Sequence, residues 1–409
     1  MKIAMFSAVP PVPAHEGNRS RILALSRAVR EQGHDLSFVW LRAGDDSSGD
    51  RAAIIAEFGE DRLHEVWPEG GMAGLLFFLR WLPRRLARKL CRVLGMPKGT
   101  YARLDERARY GWRRPIQAVM ETVQPDVVLI EYVHYSFVAL EPRLDRASYI
   151  IDTHDSYSEQ ETALRSGKAR AREWMFLRPG DEVAGFRRAD VILAIQQQEA
   201  DLFRRQLGSH PRNPQVAVVS HFVDLSAPPV MEHEARRALF LGSRNASNVR
   251  SCRMLIDQVL PLVLRTMPDF RLVLAGQVCE AVEDHPAVLK LGRVGEVREA
   301  FVMAPLLINA MVMGTGINIK LLDAMAAGVP VVSTETGARG VPERFRSGIK
   351  VCPDGDPEGL AHMLLGLISD SPQRRRLGHS CRADAERWNE EQHAQLRAVL
   401  AALPAGGDR

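Results

Sequence analysis

The sequence predicts an α/β protein made of two doubly wound, Rossmann-like halves facing each other across a cleft. Three observations point there. The chain has 409 residues, too many for one ordinary core and suited to two domains of roughly 200 residues each. Short β-branched runs alternate with helical patterns along most of its length, which implies parallel strands joined by right-handed crossovers. The alternation breaks once, at Asp224–Arg236, where Pro228, Pro229 and several charges interrupt any apolar period.

The elements follow in order. Lys2–Ser7 reads as a strand, Arg19–Gln32 as an amphipathic helix ending at Gly33, and Asp35–Leu41 as the next strand. Asp126–Glu131, Ser148–Asp152, Val191–Ile195 and Gln215–Val219 supply the remaining strands of the first half. After the break, strands are expected over Ala238–Gly242, Arg271–Ala275, Ala304–Val312 and Val329–Ser333. Helices are expected over Val249–Thr266, Leu321–Ala327, Pro357–Ser369 and Pro372–Leu403. The domains expected are therefore 1–225, with a basic helical insertion over 70–118, and 237–385, with 386–409 a helix crossing back to the first. Ligands of such sheets sit beyond the carboxyl ends of the strands.

A hydrophobic share of 46% and a charged share of 25% exclude a disordered, collagenous or coiled-coil chain. None of the five cysteines forms a C-x-x-C pair, which argues against a zinc ribbon or a redox motif. Their odd number, and no secretory apolar run at the start, lead us to expect a cytoplasmic protein. The net charge of +4 is mild, and no nucleic-acid partner is expected. Its distribution is uneven: the stretch Arg80–Arg114 is strongly basic against only Asp105 and Glu106, and it follows the apolar run Met72–Leu79. That run is far short of the ~20 residues a spanning helix needs. A helix lying on an anionic membrane surface, peripheral at the inner face of the cell membrane, would combine these features. So would a helical insertion packed on its own domain, and both readings stay open.

The most informative segment runs from Gly314 through Thr315, Gly316, Ile317, Asn318 and Ile319 to Lys320, and on through Asp323 to Ser333. Gly314 and Gly316 let a ligand approach bare backbone, and the N–H groups of a helix start favour a phosphate. Lys320 would add a point charge to a diphosphate. Asp323, one turn on, could accept hydrogen bonds from sugar hydroxyls. The same residues also fit a plain glycine turn before a buried helix, with Lys320 and Asp323 forming an i,i+3 surface pair.

The segment resembles the nucleotide-sugar signature of glycosyltransferase family 4, the glycosyl transferases group 1 of GT-B fold. In that signature two acidic residues with seven residues between them precede A-M-A-x-G-x-P-V-V; Asp323-Ala324-Met325-Ala326-Ala327-Gly328-Val329-Pro330-Val331-Val332 matches from the second acid on. The resemblance implies that Asp323 holds the donor ribose. The first acidic position is Thr315 here, so the chain looks like a subset with a G-x-G-I-K-I-K donor loop, in which Asn318 replaces the first Lys. Other segments match in order. Pro13–Arg19, with Gly17 and Asn18, looks like the family's glycine-rich loop, one glycine short. Asp152-Thr153-His154-Asp155 resembles the family's D-x-H-D, whose His contacts the transferring sugar, and that catalytic role falls on His154. His134, beyond a neighbouring strand, would help place the acceptor. Arg244, after Gly242 and Ser243, stands near the family's phosphate-binding arginine.

Together these imply a transferase moving a sugar from a nucleoside-diphosphate sugar to a glycan, lipid-linked or polysaccharide-precursor acceptor, with retention of configuration. Neither a cofactor nor a metal is expected, the nucleoside-diphosphate sugar being a co-substrate. Asp354-Gly355-Asp356 has the form of a metal-binding D-x-D but reads as a turn capping the next helix. A non-catalytic subunit of the same fold and a sugar-nucleotide epimerase are the alternatives.

Overall fold

A computed structural model describes residues 1–14, 16–42, 48–69, 104–106, 111–140, 144–157, 177–230, 236–314 and 316–403, with 79, 82–83, 86–87 and 89–90. Most of the basic insertion expected over 70–118, and of the apolar run before it, lies outside these. The described residues divide into two compact units. One holds those up to Tyr157, 177–221 and the chain from His393 on; the other is Phe222–Gln392.

The first unit is built on seven strands: β1 (Lys2–Ser7), β2 (Asp35–Leu41), β3 (Leu63–Val66), β4 (Val127–Glu131), β5 (Ser148–Asp152), β6 (Val191–Ala194) and β7 (Gln215–Val218). They lie in the order β3-β2-β1-β4-β5-β6-β7, every neighbouring pair parallel. The winding reverses between β1 and β4. Helix α1 (Gly17–Glu31) follows β1.

The second unit has β8 (Arg237–Leu241), β9 (Arg271–Ala275), β10 (Val288–Gly292), β11 (Leu307–Asn309), β12 (Val331–Thr334) and β13 (Ile349–Cys352), ordered β10-β9-β8-β11-β12-β13 and again all parallel. Its helices include α2 (Ala246–Met254), α3 (Ile319–Ala326), α4 (Pro357–Ser369) and, as far as Gln392, α5 (Ser371–Ala401). Alternate residues of the strands serve opposite cores. Ala238, Phe240, Leu272 and Leu274 pack with α2 and α4, while Leu239, Val273 and Ala275 pack with α3 and with Trp388 of α5. Burial on both faces is why these strands read as unbroken apolar runs rather than alternating ones.

Three differences from the sequence expectation have physical causes. The strand over Ala304–Val312 shrinks to Leu307–Asn309, because Pro305 has no N–H to donate and the Met311 N–H turns back to the Asn309 carbonyl. The helix over Val249–Thr266 starts earlier, at Ala246, and carries a π-helical turn at Leu255–Val259 just before Pro261, where a missing N–H disturbs the bonding ladder. Strands β3, β10 and β13 were not expected, and all three are sheet edges. Edge strands are short and mix charged with apolar residues, which blurs their period.

Candidate functional site

In the first unit, the functional side chains gather where β4 and β5 end, next to the winding reversal. These strands pair in register, so Glu131 and Asp152 sit side by side at the last step. Both side chains are fully buried. Arg21, on the inner face of α1 and 2% exposed, forks onto Asp152, with Nε 2.8 Å from Oδ2 and Nη2 on Oδ1, and donates also to the Val219 carbonyl at 2.9 Å. His154 follows two residues after β5. Its Nε2 lies 2.5 Å from Glu131 Oε2 and 3.4 Å from Asp152 Oδ2. Tyr132 stacks on the imidazole, with centroids 4.1 Å apart and planes 11° off parallel, and its hydroxyl hydrogen-bonds the Asn18 side chain.

Desolvation sets the charges here. Burial and the neighbouring Asp152 hold Glu131 well above the usual carboxylate range, with Arg21 pulling the other way. Burial pushes His154 down to about 4, against the attraction of Asp152. Burial alone would lower Arg21, but Asp152 outweighs it and keeps the guanidinium charged. The network thus closes on one ion pair, with Glu131 keeping its proton and His154 neutral. Among the described residues, Glu131, Asp152 and His154 are the group close enough to hold a metal ion. A guanidinium already occupies the Asp152 carboxylate and a short hydrogen bond joins the other two, so the cluster is built as an internal ion and proton network.

In the second unit, α2 and α3 both start beside the glycine loop. Gly314 and Gly316 adopt φ of 150° and 69°, conformations that side chains other than glycine resist. Ser247 Oγ donates to the Met313 carbonyl at 2.5 Å, and Arg339 Nε to the Gly316 carbonyl at 3.4 Å. Asn318 ties the loop to the Gly337 carbonyl at 2.8 Å. Lys320 Nζ donates to the Leu241 carbonyl (3.0 Å), Asn248 Oδ1 (3.0 Å) and Met311 Sδ (3.3 Å), and lies 4.8 Å from the centre of the Phe240 ring. No carboxylate pairs with it among the described residues. Burial therefore pushes this lysine down to about 7. Burial, then the charge of Asp224, pushes Asp323 up to about 7. Lys320 and Asp323 do not form the surface pair that their spacing allowed. Two helix starts, with their partial positive charge, and two cationic side chains, Lys320 and Arg339, meet around the glycine loop.

The sequence-singled residues fall as follows. In the first unit, Asn18 and His154 are joined through Tyr132, and Gly17 opens α1 beside them. His134 is 2% exposed and packs edge-on against Tyr157, with centroids 4.4 Å apart. In the second, Gly314, Gly316, Ile317, Lys320 and Asp323 share one loop and helix start, with Ile317 packed on the core below. Arg244 turns outward, its Nη1 3.6 Å from Glu280 Oε2 with both side chains more than half exposed. Thr315 lies outside the described residues. Asp354 accepts from Thr336 Oγ1 at 2.6 Å and Asp356 caps α4 by accepting from the Gly359 N–H at 2.8 Å, so this D-x-D is a capping turn. Sequence reasoning missed Arg21, Glu131 and Tyr132 in the first unit and Ser247, Asn248 and Arg339 in the second.

Comparison with known proteins bears on the whole arrangement. Residues 16–220 match the model for a glycosyl transferase 4-like domain, and residues 235–370 that for glycosyl transferases group 1. The chain belongs to the glycosyl transferase 4-like family. N-acetyl-alpha-D-glucosaminyl L-malate synthase of Bacillus anthracis is 29% identical over 164 residues, 37% of this chain and 40% of that protein; the match thus spans about two fifths of that relative's length. Among solved structures, TarM superposes with a TM-score of 0.68 at 10% identity, covering 98% of each chain. Anabaena HepE in complex with UDP and glucose gives 0.65 at 12% identity, over 98% of this chain and all of that one. The pneumococcal O-GlcNAc transferase GtfA in complex with UDP and GlcNAc gives 0.63 at 10%, over 98% of each. At such identities the likeness is one of fold: two parallel-sheet, Rossmann-like α/β domains of the GT-B type. Among the described residues, no helix is long and apolar enough to cross a membrane.

Proposed function

We propose that this chain transfers a sugar from a nucleoside-diphosphate donor to a glycan or lipid-linked acceptor, the diphosphate seating on the start of α3. The observation that carries this is Lys320, a half-buried ammonium with only neutral partners at a glycine loop between two helix starts. Such a cation is incomplete until an anion joins it. When the sugar bond breaks, negative charge grows on the leaving phosphate. Each preorganised donor aimed at that charge lowers the barrier by roughly 3 kcal/mol. Lys320 and the backbone N–H groups would supply this without a metal, Asp323 would hold the ribose, and Asn318 and Gly316 would define the donor-loop subset. His154 would be the first unit's hydrogen-bonding group for the transferring sugar. Glu131 and Asp152 are engaged by His154 and Arg21, so neither is placed as the base that an inverting reaction needs, which favours retention.

UDP is the first nucleotide to test, since two similar structures carry it; calorimetry with UDP, GDP and ADP should reveal one that binds. No binding by any of them would remove the donor site. Turnover in EDTA should equal turnover without it, and the anomeric signal of the product should match that of the donor.

Peripheral association with an anionic membrane belongs to the same reading. Leu79, at the end of the apolar run, and Leu86 and Leu90, within the basic run, are each at least half exposed, so apolar side chains face water beside basic ones. Sedimentation with anionic but not neutral vesicles is expected; equal sedimentation with both would count against it.

A further inference from the structure

We propose that Glu131 is the positioning residue for His154: its carboxyl group donates a hydrogen bond to Nε2, fixing the imidazole in the tautomer that carries hydrogen on Nδ1. This rests on the transferase reading above, in which His154 contacts the sugar. Two carboxyl groups aim at one ring nitrogen, Glu131 at 2.5 Å and Asp152 at 3.4 Å, and β4 and β5 hold them abreast. One cation, Arg21, serves the pair, and it forks onto Asp152. Two ionised carboxylates this close, away from water, repel strongly. The one without the arginine therefore keeps its proton, and His154 Nε2, 2.5 Å away, stands within reach as its acceptor.

The ring has little freedom to turn. Tyr132 lies flat on it, and both Tyr132 and His154 hold positive φ, 70° and 61°, a conformation costing about 1–3 kcal/mol for such residues. Strain of this kind persists only where surrounding contacts enforce it. Glu131 and Tyr132 are consecutive, so one strand end supplies both the proton donor and the stacking plate. The His154 side chain is only 7% exposed, and Nδ1 has no hydrogen-bond partner among the described residues. With Nε2 occupied, the N–H at Nδ1 is the group left for a ligand hydroxyl.

The test compares Glu131→Gln with Glu131→Leu in the full chain. Gln keeps an N–H donor for Nε2 and should hold turnover within about threefold, since it retains the hydrogen bond. Leu removes the donor and should lower kcat about 10- to 100-fold, the usual loss when one aligned group is freed. Its nucleotide affinity should match wild type, which shows that the variant folds. Nitrogen-15 spectra of the imidazole should show wild-type His154 protonated at Nδ1 and bare at Nε2. A Glu131→Leu enzyme with unchanged kcat, or wild-type His154 protonated at Nε2, would overturn the assignment. If Leu fails to fold, the Gln variant and the wild-type spectrum decide. Absence of transfer by wild type with every donor would instead overturn the transferase reading, and the tautomer measured without substrate would still test the hydrogen bond.

Discussion

The two sheets bring buried ionisable groups to corresponding strand ends and treat them in opposite ways. In the first unit every charge is answered from within: Arg21 by Asp152, the second carboxyl by its own proton, His154 by staying neutral. In the second unit Lys320 and Asp323 each lack an oppositely charged partner among the described residues, and burial drives both toward about 7. A closed network orients; an open one binds. On the function proposed above, the first site is a rigid template, and the second holds a charge that an anionic ligand would neutralise.

The largest expected effect breaks the closed side. Arg21→Met leaves Asp152 charged and buried without its partner, which typically costs about 3–5 kcal/mol. Thermal or urea unfolding should show that loss. A change below about 1 kcal/mol would mean that the pair is worth no more than a surface one.

Lys320→Met should act with the opposite sign on stability. The thioether fills the space near Phe240 and Met311 and removes an unpaired buried charge, a gain of about 1–2 kcal/mol. Nucleotide affinity should drop about 100-fold, the worth of a charge-assisted hydrogen bond. A variant that loses affinity and stability together would mean that the lysine is structural, and the contrast between the units would fail.

How much of this was legible in the sequence follows from burial and distance. Central strands such as Val127–Glu131 were legible because both their faces are buried. Leu63–Val66 and Val288–Gly292 were not, since His64, Glu65 and Lys290 interrupt edge strands that water reaches. The α3 start was legible because its glycines, lysine and acid are contiguous. Glu131 was hidden, because its meaning comes from Asp152 and His154 on the neighbouring strand, and only the sheet order sets them abreast. Arg21 was hidden for another reason: an arginine in an amphipathic helix reads as solvent-facing, and nothing local shows that its carboxylate waits 131 residues later.

A smaller effect sharpens the picture of the open site through pH. Lys320 must be charged to hold a diphosphate, and its folded value of about 7 lies below the ordinary 10.5. Affinity should therefore fall as pH rises above 7, by up to about tenfold per unit. Asp323, raised from 3.8 to about 7, accepts ribose hydrogen bonds better when ionised, so affinity should also fall below 7. The profile should be a bell, losing its alkaline limb in Lys320→Met and its acid limb in Asp323→Asn. Stability of the ligand-free unit should run the other way. Between 3.8 and 7 the folded state holds the Asp323 proton that the unfolded chain has lost, so stability falls with rising pH. Between 7 and 10.5 the unfolded chain holds the Lys320 proton, so stability climbs again. A flat affinity profile from pH 6 to 8 would show that neither group meets the ligand.

The smallest effect is expected where sequence and structure part most clearly. The resemblance in sequence put Arg244 near the position expected to touch phosphate, yet it points to Glu280 across 3.6 Å with both side chains largely in water. Exposed pairs of this kind contribute about 0–1 kcal/mol, and their charges are screened over about 8 Å at physiological salt. Arg244→Ala should accordingly change nucleotide affinity less than about threefold, with little change in unfolding midpoint. The two lysine and arginine variants then form a graded pair: a half-buried cation with neutral partners, expected to govern binding, and an exposed one already answered by an acid, expected not to. Should Arg244→Ala weaken the nucleotide as much as Lys320→Met, the arginine must swing from Glu280 onto the phosphates. The open site would then be assembled by the ligand rather than waiting for it.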